Sequence, residues 1–146
     1  MKRAVMFTFV LALAAATLAF AGCGDGGSSL TPEQVVGEFL SAAMEGNADV
    51  AYDLITEDSK SEVGDKENLV AGFSDSVSKY EVGKGTVSGE RASVPVSYEL
   101  QGFDGGIEFD TILKQENGSW KISLSDTNAA AEEALNELMQ EFETEQ

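Results

Sequence analysis

The sequence has no histidine among its 146 residues. That removes the commonest general base and the commonest metal ligand. It has one cysteine, Cys23, so an intramolecular disulfide is excluded. Basic residues are few: nine Lys and Arg stand against 26 Asp and Glu, a formal net charge of −17. Nucleic-acid binding needs a basic patch, so no nucleic-acid partner is expected. A surface this acidic is also repelled from lying flat on anionic lipid. The bland reading is a solvated acidic surface that keeps the chain soluble. Gly24, Gly26 and Gly27 follow no strand and make no phosphate loop. The acids show no EF-hand spacing, and no metal or cofactor is expected.

Long apolar runs are also scarce, and the one that exists is at the start. Lys2 and Arg3 precede an almost wholly apolar stretch, Ala4 to Phe20, and the small residues Ala21 and Gly22 lead into Cys23. A basic start, an apolar middle and a small-residue exit describe a secretory signal peptide. The run is short against the roughly 20 residues of a spanning helix. No basic flank follows it; the next residues are Gly24-Asp25-Gly26-Gly27-Ser28-Ser29. A plain secretory cut near Cys23, leaving a free thiol, is the ordinary alternative.

Ala21-Gly22-Cys23 resembles the bacterial lipoprotein signal, or lipobox, with Phe20 where an aliphatic residue is commoner. The resemblance implies a diacylglyceryl group on the Cys23 thiol, cleavage after Gly22, and often a further acyl chain such as palmitate on the new amino terminus. Each buried CH₂ contributes about 0.8 kcal/mol, and two chains hold a protein stably on a bilayer. The expected organisation is a signal peptide over 1–22, a flexible tether over 23–30, a folded domain over 31–126 and a helical extension over 127–146. The expected location is extracytoplasmic, anchored to a bacterial membrane through Cys23. About 120 residues make one domain with an ordinary core.

The folded part begins with helical signals. Thr31 is an N-cap, Pro32 stands at the first helical position, and Gln34 completes a capping box. Val35, Val36, Phe39, Leu40, Ala43 and Met44 recur at helical spacing. Gly46 ends that helix and Asn47 caps a short second one with Ala51, Leu54 and Ile55 inward. Residues 56–65 read as a polar loop, and 66–79 as a third helix with Leu69, Phe73 and Val77 in its stripe.

The period then changes to two. Tyr80 and Val82 open a strand that Gly83 and Gly85 interrupt and Thr86 and Val87 resume. Ala92, Val94, Val96, Tyr98 and Leu100 alternate with polar residues and Pro95. Proline donates nothing to a ladder, so this strand is expected at an edge or with a bulge. Asp104-Gly105-Gly106 is a turn; Ile107, Phe109, Thr111 and Leu113 alternate again, and Asn117-Gly118 is a hairpin turn before Trp120, Ile122 and Leu124. Consecutive strands with short turns predict an antiparallel meander. Asp126 or Thr127 is expected to cap a last helix over 128–143, with Ala131, Leu135, Leu138, Met139 and Phe142 in one stripe. Its terminal glutamates oppose the helix dipole.

The fold class expected is α+β: three N-terminal helices on a curled four-stranded antiparallel meander, plus a C-terminal helix. The order of Thr31–Val36, Glu45–Ile55 and Asn117–Ile122 resembles the nuclear transport factor 2-like, or cystatin-like, cone fold, in particular its small bacterial lipoproteins with a domain of unknown function. That superfamily holds enzymes and binding modules alike, so function must come from the site. Its ketosteroid isomerases use an Asp base, a Tyr and a protonated Asp in an apolar cone. Here Tyr52, Tyr80, Tyr98, Asp53 and Asp110 are the available groups, but Asp110 is expected to face outward and Asp53 to lie on a solvated helix face. Phe39, Phe73, Tyr98, Phe109 and Trp120 are the candidate pocket lining, although a plain helix-on-sheet core requires the same spacing. The expectation is therefore a non-enzyme that binds a small apolar ligand or an envelope protein. An isomerase- or dehydratase-like enzyme with a buried carboxylate and Tyr is the alternative.

Overall fold

A computed structural model describes residues 29–102 and 105–144. The leader, Cys23 and Asp104 lie outside these residues.

Helix α1 (Pro32–Glu45) starts on the expected capping box: the Thr31 hydroxyl accepts the Gln34 N–H, and the Gln34 side chain accepts the Thr31 N–H at 2.9 Å. Gly46 closes it with φ of 70°, a conformation that costs glycine least. Asn47 caps α2 (Ala48–Asp53), accepting the Val50 N–H. The polar segment 56–65 is not a loop. It carries α3 (Glu57–Val63), with Thr56 as N-cap and Glu57 and Asp58 in the first turn, where acids suit the helix dipole. The expected third helix over 66–79 is two single turns, α4 (Glu67–Val70) and α5 (Phe73–Ser76). Gly72, at φ of 73°, separates them. Val77 is already strand.

Strands β1 (Val77–Val82) and β2 (Thr86–Ser88) both pair with β3 (Arg91–Leu100), as one interrupted strand. β4 (Gly106–Glu116) pairs with the other side of β3, and β5 (Ser119–Ile122) pairs with β4. All pairings are antiparallel, and the order is β1-β3-β4-β5. Asn117 and Gly118 turn the last hairpin with φ of 52° and 79°, the positive pair that a two-residue turn needs.

Of the two places expected for Pro95, the edge fails and the bulge-like interruption stands: three residues, 83–85, lie opposite two, 94 and 95. β3 is central, yet Pro95 is tolerated because the gap between β1 and β2 lies opposite it. The β1–β3 register ends at Val82↔Val96 and the β2–β3 register begins at Thr86↔Ser93. In the gap the Pro95 carbonyl accepts the Gly83 N–H at 2.8 Å. The missing proline donor thus faces a loop and not a ladder.

One face of the sheet carries Ala92, Val94, Val96, Tyr98 and Leu113, all buried, against Val35, Val36 and Leu40 of α1 and Ile55. Ile55 also makes a parallel bridge to Ile122. The chain then enters α6 (Leu124–Thr144), which starts four residues before its expected beginning and runs across the expected boundary at 126. The reason is a cap from far away in sequence: Leu124 N–H donates to the Ser59 hydroxyl at 2.9 Å. β5 is short, so only residues 113–116 of β4 have a strand on that side. α6 lies along the rest. Thr127, expected as a cap, instead accepts the Ile112 N–H at 3.0 Å through its hydroxyl.

Candidate functional site

The five aromatic residues all touch the core, and Phe109, Tyr98 and Trp120 each line a separate described cavity. Tyr98 is buried and stacks on Phe109, with centroids 4.9 Å apart and planes 19° from parallel. Burial pushes the Tyr98 phenol up, and a hydrogen bond with the buried Thr111 side chain partly opposes this. Phe39, Phe73, Phe109 and Trp120 are half-buried around the cluster. Trp120 sits in a notch of about 140 Å³ with Leu30, Val35, Leu54 and Lys121. The space between the helices and the sheet is occupied by Val35, Val36, Leu40, Ile55, Val94, Val96, Leu113 and Ile122, each at 2% exposure or less.

The carboxylates point elsewhere. Asp110 is exposed and accepts the Ser93 hydroxyl at 2.6 Å; Glu108 is exposed and accepts the Ser97 hydroxyl at 2.7 Å. Both pairs lie on the sheet face opposite the core. Asp53 is exposed, and Tyr52 and Tyr80 are half-buried. Among the described residues the buried polar side chains are Thr56, Ser59, Thr111 and Ser123, and none is a carboxylate. Among the same residues no three acidic or cysteine side chains are grouped to hold a metal. No described helix is long and apolar enough to cross a membrane.

Two acids do precise structural work. Glu33, in the first turn of α1, accepts the Gly85 N–H at 2.9 Å. Its carboxyl is held below the usual range by backbone hydrogen bonds, its own first and then that of Gly85. Asp126 sits 2.7 Å from Lys114 and 3.6 Å from Arg91 and accepts the Ser123 hydroxyl at 2.8 Å. The Lys114 hydrogen bond chiefly lowers its carboxyl, followed by that of Ser123. Asp126 thereby ties the first turn of α6 to β3 and β4. Sequence reading assigned Asp126 a cap and gave Glu33 and Ser59 no role. Thr56 followed by two acids was a readable helix start; the reach of Ser59 to Leu124 left no sequence signal.

No family model matches the chain, and no curated protein matches its sequence. Solved structures resemble it in backbone. A Campylobacter jejuni protein described as an NTF2-like transpeptidase shares 17% identity at a TM-score of 0.49, over 64% of this chain and 97% of its own. A DUF4783 family protein from Bacteroides ovatus shares 14% at 0.42, over 66% and 91%. A de novo designed protein with a curved β-sheet shares 18% at 0.42, over 73% and 98%. On its own topology the chain is an α+β domain of helices, a curled antiparallel sheet and a C-terminal helix.

Proposed function

We propose that the chain is a lipid-anchored, extracytoplasmic module that performs no reaction and binds a protein of the cell envelope. The observation that carries this reading is the filled cone. Aliphatic side chains at 2% exposure or less occupy the space between its helices and sheet, and the nearby carboxylates Glu108 and Asp110 hydrogen-bond on the opposite face. An isomerase- or dehydratase-like reaction needs a desolvated carboxylate beside its phenol, and Tyr98 has Thr111 there instead. Binding is then a matter for the outer surface. The anchor rests on the lipobox resemblance at Ala21-Gly22-Cys23.

The test has two parts. The full chain, made in a bacterial host fed labelled palmitate, should carry label that Cys23→Ser abolishes, and protease added outside the cytoplasmic membrane should digest it. Cross-linking in intact cells should join it to an envelope protein. Label that survives Cys23→Ser, or protection from the protease, refutes the anchor; catalytic turnover refutes the module. A second reading, a small apolar ligand, is favoured by the Tyr98–Phe109 stack with half-buried Phe39 and Phe73 beside the core. Native mass spectrometry of the purified chain decides it: a retained apolar molecule supports it, and an empty chain that shifts no hydrophobic probe refutes it.

A further inference from the structure

Helix α6 has two faces. One turns to β4, where the Thr127 hydroxyl holds the Ile112 N–H and Ala130, Glu133, Ala134 and Glu137 line a cleft of about 230 Å³ with Glu108, Phe109 and Asp110. Between a quarter and half a turn around the helix, at about 100° per residue, stand Ala131, Leu135 and Met139. These last two are large apolar side chains left 48% and 59% exposed. Ala131, Leu135, Leu138 and Phe142 follow one another by alternating steps of four and three residues, which is the spacing of a heptad seam.

The charge beside this seam has one sign. Glu132 flanks it, Glu133 and Glu137 lie further round, all three exposed, and the sequence of Leu124–Thr144 contains no Lys or Arg. Flanking positions of a heptad seam set partner choice. A second copy would place glutamate against glutamate, on chains that each carry −17. A helix with Lys or Arg in those positions meets attraction in place of repulsion. We propose that this stripe of α6 is the docking face for a basic amphipathic helix of another protein, seated on Leu135 and Met139 and paired in charge with the glutamates beside them. This rests on the reading of the chain as a protein-binding module and adds the chemistry of the partner.

The test uses the full chain purified in detergent from a bacterial host. The probe is a labelled three-heptad peptide with Leu at its seam and Lys at its flanks, followed by fluorescence anisotropy. It should bind at least about tenfold more tightly than a scrambled peptide of the same composition, and binding should weaken as salt rises. Leu135→Asp with Met139→Asp should lose that preference while melting like the parent, because both side chains are exposed. Leu135→Ala with Met139→Ala, which adds no charge, should lose most of it as well. Equal binding of the scrambled peptide overturns the proposal, since charge alone would explain it. So does a preference that survives both double substitutions, or a sedimenting dimer that they dissociate. Each of these leaves the module reading to its own test on turnover and anchoring.

Discussion

Gly85 lies where α1 and β3 both approach the gap between β1 and β2. A Cβ there would lie 2.9 Å from Val94 Cγ2, 3.0 Å from Glu33 Oε1 and 3.3 Å from the Ser93 carbonyl oxygen. Val94 is wholly buried and Ser93 is backbone in a paired strand, so neither can retreat. Glu33 can swing away, but it is the acceptor of the Gly85 N–H. Gly85→Ala therefore either overpacks the contact, at about 1–3 kcal/mol, or gives up a hydrogen bond to a charged group, at about 1.5–3 kcal/mol. Reduced freedom of the unfolded chain offsets about 0.4–1 kcal/mol. The net expectation is a loss of about 1–2 kcal/mol, and each kcal/mol lowers Tm by about 4–8 °C in a domain near 100 residues. Gly37 supplies the opposite sign. It lies mid-helix in α1, and a Cβ there meets nothing within 4 Å. Gly37→Ala should stabilise by about 0.5–1 kcal/mol. Urea unfolding followed by circular dichroism reads both. A Gly85→Ala chain as stable as the parent, beside a Gly37→Ala chain that gains, refutes the close approach of α1 to the strand gap.

Ser59→Ala should cost about 1–3 kcal/mol in the same assay, because it leaves the Leu124 N–H without its acceptor and removes one of the two hydrogen bonds of the Thr56 hydroxyl. Asp126→Asn should cost less, about 1 kcal/mol, since Lys114 and Arg91 are 45% and 55% exposed. Asp126 and Glu33 both have lowered pKa values in the fold. Their contribution is complete above the ordinary carboxylate range and disappears as pH falls through the depressed values. Asp126→Asn should thus flatten acid denaturation, and an unchanged acid limb would count against the clasp. Tyr98 has a raised pKa. Its share of stability is complete below the ordinary phenol range and lost as pH climbs through the raised value, so Tyr98→Phe should improve resistance to alkali. Absorbance titration of the parent should show a phenol ionising above the ordinary range that this variant lacks.

The elements legible in the sequence were those fixed by local chemistry. The Thr31–Gln34 box, the Asn47 cap, the alternation from Ala92 to Leu100 and the Asn117-Gly118 turn depend on neighbours a few residues away, and each stands where expected. What was not legible depends on distant partners. Pro95 left an edge and a bulge both open, because the gap that decides between them is set by another segment, Gly83 to Gly85. The early start of α6 needs Ser59, and the break of the third helix was hidden because Gly72 reads as a mild penalty until its positive φ is known. For the site, the outward turn of Asp110 was readable from strand parity. The aromatic set was chosen by residue type, and only packing separates Trp120 in its notch from the Tyr98–Phe109 stack.

The covering of β4 by α6 has a consequence for how copies of the chain meet at high concentration. Beyond the reach of β5, the first half of β4 is a row of backbone donors and acceptors, of which Ile112 is closed off by Thr127 and Ser123. An uncovered row of this kind recruits strands from other molecules. The helix therefore acts as a guard against self-templating, and its anchorage through Ser59 and Asp126 is what keeps two copies of the chain from joining along this edge. Cutting the chain before α6 would give fibrils or domain-swapped oligomers, and a partner that grips α6 must leave this guarding face in place.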